Sequence, residues 1–148
     1  MQPKYISNYR LSVVKEPSQL QRTKVLSSKN AELAMRNFYT DNIEIYESFH
    51  VLYLNRANDI VGHAEISRGS ATGTVVCLKM IFKYALDSLS NAIILCHNHP
   101  SGQLRPSQQD IDLTKKIKEA GKIMEVQLLD HVIVTKDGHY SFADEGML

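Results

Sequence analysis

The sequence has no tryptophan, two cysteines, and no apolar run near the roughly 18 residues that a membrane helix needs. The last absence predicts no membrane span. The cysteines, Cys77 in VVCLK and Cys96 in ILCHN, form no CxxC pair and no framework of spacings that reads as disulfides. Their apolar neighbours predict two buried free thiols in a reducing cytosol, hence a cytoplasmic protein. The opening stretch, MQPKYISNYRLSVVKE, is polar and lacks the apolar core of a signal peptide. Charge of one sign is also scarce. A formal net charge of +1 supplies no global field toward nucleic acid or an anionic membrane, so tight DNA binding is not expected.

What is present is ordinary globular material. With 43% hydrophobic and 22% charged residues over 148 positions, the chain can bury a core, and its length suits a single domain, 1–148. The first part reads as a strand–helix extension over residues 1–45. NYRLSVVK (8–15) has strand character, and a helix fits 29–39 with Ala31, Leu33, Ala34 and Phe38 inward and Ser28 as cap. IYESFHVLYLN (45–55) predicts a central strand, apolar on both faces. RAND (56–59) turns the chain into IVGHAEIS, a neighbouring strand, and SRGSATGT is a loop.

Residues 77–89 carry Leu78, Ile81, Phe82, Ala85 and Leu89 at helical spacing, and NAIILCH (91–97) is a buried strand. A further helix runs from Ser107 to Gly121, with Ile111, Leu113, Thr114 and Ile117 inward and Gly121 as its stop. MEVQLLDHVIVT is a strand, DG at 137–138 a tight turn, and HYSFA a last strand. Strands alternating with helices predict an α/β fold, a mixed sheet flanked by helices.

Chemistry concentrates in HNHPSGQLRPSQQD, residues 97–110. His97 and His99 stand at the end of an apolar strand, where residues i and i+2 share a face about 7 Å apart. Two imidazoles so placed can converge on one ion at about 2.0–2.1 Å per bond. Asp110, in the first turn of the following helix, can return a carboxylate to them. Two histidines, one carboxylate and an open position describe a catalytic zinc site. Ser107 and Asp110 also read as a variant capping box, which gives the aspartate a purely structural alternative. Cys96, adjacent to His97, should face away from the site. An HExxH helix and a PCxxC pair are both missing, which sets aside those two zinc patterns.

HNHPSG followed by PSQQD, then LLDHVIV and SFADEG, resembles the JAMM (MPN+) metalloprotease signature, and in detail the JAB domain of RadC proteins. The resemblance runs from about Tyr46 to the C-terminus, making 46–148 the metal-site core. It implies a fold akin to cytidine deaminases, a zinc ion held by His97, His99 and Asp110, and a catalytic glutamate at Glu47. It also implies that Ser107 helps to stabilise a tetrahedral oxyanion. Two departures stand out. RadC proteins usually carry PRE at the start of the helix that precedes the HNHP strand, where this chain has Leu78, Lys79 and Met80. Full-length members also carry an N-terminal helix-hairpin-helix region, which residues 1–45 do not resemble, and this removes the usual reason to expect DNA binding.

Glu47 makes chemical sense as a base at the start of an otherwise apolar strand, with Glu65 and then Glu44 as rivals. Asp130 and His131 offer a partner that orients a ligand, or else a buried satisfied pair. His50, His63 and His139 read as surface or strand-face residues. The expected activity is zinc-dependent hydrolysis of peptide or isopeptide bonds in a protein or peptide substrate. The alternatives are a metal nuclease of DNA repair and a non-catalytic zinc-binding JAB module.

Overall fold

The fold is described from a computed structural model, covering residues 7–8, 16–18, 20–69 and 73–148. The strand expected over 8–15 therefore lies, beyond Asn8, outside the described residues, as do positions 70–72 of the SRGSATGT loop. Among the described residues nine elements follow in order. They are α1 (Ser28–Arg36) with a 3-10 turn (Asn37–Tyr39), β1 (Ser48–Leu54), β2 (Ile60–Arg68), α2 (Leu78–Asp87), β3 (Ala92–Asn98), α3 (Gln108–Met124), β4 (Gln127–Val134) and β5 (His139–Ser141).

The strands form one mixed sheet in the order β2-β1-β3-β4-β5, parallel between β3 and β4 and antiparallel elsewhere. β1 and β3 are buried along their whole length because helices cover both faces, which is why neither alternates in polarity. On one face, α1 and Tyr39 pack over Leu52, Leu54, Ile94, Cys96 and Val132. On the other, Ile81, Phe82 and Ala85 of α2 and Ile117 of α3 cover Phe49, Val51, Ile93 and Leu95. β2, at the edge, alternates between half-buried and exposed over most of its length.

Several expectations shift. Ser27, not Ser28, caps α1, its side chain accepting from the Asn30 N–H, while Ser28 donates to Asp144. Leu33 is 55% exposed and Leu89 85% exposed, because Met35 takes the inward position in α1 and the chain leaves α2 in a left-handed turn at Leu89. Helix α3 continues past Gly121 to Met124 and ends at Glu125, whose φ is 57°. Gly121 serves that ending from within: a Cβ there would come within 2.3 Å of the Val126 carbonyl oxygen, which folds back over the last turn. Cys96 is buried, on the face away from His97, as expected. Cys77 is exposed at the start of α2 rather than buried. No helix among the described residues is long and apolar enough to cross a membrane.

Candidate metal centre

The parallel pair β3–β4 ends where α3 begins, and the three motif residues meet there. His97 is the penultimate residue of β3 and is buried, stacked on Phe49 with ring centroids 5.8 Å apart. His99 follows the strand, tied by its N–H to the Val134 carbonyl, and its side chain turns back onto the same face. Gly102, at φ 84°, closes the turn with its N–H on the His99 carbonyl, a backbone shape that suits glycine. Asp110 arrives from the first turn of α3.

His97 Nε2 lies 3.0 Å from His99 Nε2 and 3.4 Å from Asp110 Oδ1, and His99 Nε2 lies 3.3 Å from Asp110 Oδ2. Ligand atoms about 2.0–2.1 Å from a tetrahedral ion stand about 3.3 Å apart, so this triangle has the size that such an ion requires. The three side chains form a group able to hold a metal. Asp110 faces the two histidines and also makes the capping box read from the sequence. Its Oδ2 accepts from the Ser107 N–H at 2.8 Å, and its own N–H donates to Ser107 Oγ at 3.1 Å, completing a capping box. A helix cap thus holds the third side chain of the group in place.

Electrostatics agree with a cation site. Burial works to raise the Asp110 carboxyl, but hydrogen bonds from His97 and His99 outweigh it and hold the group far below the carboxylate range. Burial works against charge on His99, yet the Asp110 carboxylate and the Gln103 carbonyl raise its pKa.

Glu47 immediately precedes β1. Its Oε1 lies 3.9 Å from His97 Nε2, further than any edge of the ligand triangle. The carboxylate therefore flanks the site without belonging to the metal-holding group. Burial raises its pKa, with His97 and His99 pulling the other way. Such a carboxylate holds a proton more readily than one in water.

Residues 25–147 match the family described as the RadC-like JAB domain. The chain belongs to that family. It is 44% identical over 128 residues to a UPF0758 protein of Flavobacterium johnsoniae, covering 86% of this chain and 55% of the relative. A UPF0758 protein of Porphyromonas gingivalis is 41% identical over 128 residues, covering 86% of this chain and 56% of its own length. The chain thus spans about half the length of the curated relatives it matches. The mixed sheet with helices on both faces is consistent with the JAB/MPN fold.

Within this RadC-like fold the rival glutamates lie elsewhere. Glu65 pairs with Arg68 and faces His50 across β1–β2, and Glu44 pairs with Lys136. His131 and Asp130 part company. The His131 ring touches His97, Nε2 to Nδ1 at 2.8 Å, whereas Asp130 accepts from Ser141 and from the His131 and Ala143 N–H groups, a satisfied structural carboxylate. Burial drives the His131 pKa well below its ordinary value.

Asn98 was missed by sequence reasoning. Fully buried between the two histidines in sequence, it points the opposite way. Its Oδ1 accepts from the Ser48 N–H at 2.9 Å, and its Nδ2 donates to the Tyr46 and Ile43 carbonyls at 2.9 and 3.1 Å. It therefore staples the segment that carries Glu47 to the strand that carries the histidines. The available signal was a polar residue on the inward face of a buried strand, which needs partners wherever it sits.

Proposed function

We propose that this chain is a zinc-dependent hydrolase of peptide or isopeptide bonds. The observation that carries the reading is the place of Glu47, a burial-raised carboxylate beside, but outside, a triangle of two imidazoles and one carboxylate. His97, His99 and Asp110 would hold the zinc. When bound, that ion supplies Lewis-acid chemistry, acidifying water and polarising a carbonyl oxygen. Glu47 takes the proton from the attacking water at its carboxylate and returns it to the leaving amine nitrogen. Its raised pKa suits both halves of that transfer. Ser107 Oγ accepts from the Asp110 N–H, which leaves its hydroxyl proton available to donate to the oxyanion that forms on the substrate carbonyl. Family membership supports the assignment, and the free thiols Cys77 and Cys96 fit the reducing cytosol proposed as its compartment.

The test compares zinc-loaded wild type with Glu47→Gln on a peptide library and on single-stranded, duplex and branched DNA. The variant should keep its zinc and lose peptide cleavage by about 10²–10⁴-fold. Loss of zinc would place Glu47 among the ligands. DNA cleavage abolished in the variant would replace the peptidase reading with a nuclease.

A further inference from the structure

His97 can offer Nε2 to a metal only when its ring proton sits on Nδ1. The hydrogen bonds behind the ring decide where that proton sits. Thr114 Oγ1, one turn beyond Asp110 in α3, lies 2.6 Å from the Asp110 carbonyl oxygen and 2.7 Å from His131 Nδ1. A carbonyl has no proton to give, so the hydroxyl proton lies toward it and the hydroxyl oxygen is left to accept. His131 must then carry its proton on Nδ1. In the neutral ring, Nε2 is an acceptor, and it lies 2.8 Å from His97 Nδ1. The proton between the two rings therefore belongs to His97, and in the neutral His97 ring Nε2 carries the lone pair that a metal held between His99 and Asp110 would take.

We infer that Thr114, acting through His131, is the positioning residue that fixes the tautomer of His97 and so prepares it as a metal ligand. The inference rests on the metal reading above. Three observations make the relay more than a chance chain of contacts. Thr114, His131 and His97 are all buried, so water cannot replace a lost partner. The rings are held by aromatic faces, His97 by Phe49 and His131 by Phe142, the latter pair stacked at 4.8 Å. Both ends of the relay meet in one residue, since Asp110 anchors Thr114 by its backbone carbonyl and faces the metal with its carboxylate. His99 reaches the same state independently, its Nδ1 2.6 Å from the Gln103 carbonyl. Each histidine is thus set to bind through Nε2 by a different backbone oxygen.

Thr114→Val keeps the shape and removes the hydroxyl. The His131 proton then moves to Nε2, His97 accepts at Nδ1, and the His97 proton falls on Nε2, where a metal must displace it. We expect zinc affinity, read by chelator competition, to fall about 10–100-fold, with Thr114→Ser restoring it. The direct readout is a long-range ¹H–¹⁵N spectrum of the imidazoles in the metal-free wild-type chain under mildly alkaline conditions. His97 and His131 should both appear as Nδ1–H tautomers, and His97 should switch in Thr114→Val. A wild-type His97 protonated on Nε2 overturns the inference, as does a folded Thr114→Val that binds zinc as tightly as wild type. Failure of the wild-type chain to bind zinc would refute the metal reading itself, while the ring spectra would still report the relay.

Discussion

Asp110 caps a helix and is proposed as a metal ligand, and two substitutions separate these roles. Asp110→Asn keeps an oxygen that can accept from the Ser107 N–H but loses the charge that a cation needs. Asp110→Ala loses both. At zinc about 100-fold above its dissociation constant, binding should stabilise the wild-type fold by about 2.7 kcal/mol. For a chain of this size each kcal/mol moves Tm by about 2–4 °C, so the zinc-induced rise should be about 5–11 °C. That rise should vanish in both variants. Without zinc, Asp110→Ala should melt about 2–4 °C below Asp110→Asn, from a cap worth about 1 kcal/mol. The scans belong on the alkaline side of neutrality. The raised His99 pKa adds stability that is fully present below its unfolded value and is lost as pH rises through the folded one, so in alkali the ion pair with Asp110 drops out of the comparison. A full zinc-induced rise in Asp110→Asn would show that Asp110 only caps the helix.

Two further outcomes follow from buried polar groups. His50 is buried, with Nδ1 lacking a hydrogen-bond partner, and burial lowers its pKa from 6.5 to about 4. The unfolded chain takes up the proton first, so stability falls as pH drops from 6.5 toward 4, and at 1.36 kcal/mol per pH unit the loss is about 3 kcal/mol. Urea titrations at both ends of that window should show the slope flattened in His50→Leu; equal slopes in the two proteins would refute the assignment. Asn98→Ala should cost about 1–3 kcal/mol through the buried Ser48 N–H it orphans, and should depress peptide cleavage while zinc is retained. Unchanged cleavage would show that Glu47 is held by other contacts.

Much of this protein was legible in the sequence because its signals are local. The apolar run of β3, the helical spacing of α2 and α3, and the hairpin turn at Asp137–Gly138 each report on a few neighbouring residues. His97 and His99 are separated by one position, and strand geometry alone puts them on one face. Asp110 follows through a short loop into a helix start, so the convergence of these three side chains was readable before the fold was known. Solvent exposure was less so. Leu33 and Leu89 lie at helical spacing yet face water, because burial depends on which side of the helix the sheet occupies. Cys77 sits among apolar residues in sequence and at the surface in space.

What only the tertiary structure decided lies between elements distant in the chain. Asn98 meets Tyr46 and Ser48 across some fifty residues because β1 and β3 are sheet neighbours. His131 meets His97 because β4 runs parallel to β3, with His97 opposite Ile133 in register and the His131 ring reaching across the pair. Thr114 meets His131 because α3 packs over β4. Hydrogen-bond polarity then passes through three elements to one ring nitrogen. Residue spacing brings the three candidate ligands together, and the packing of α3 on the parallel strands builds the relay proposed to fix which nitrogen of His97 faces the site.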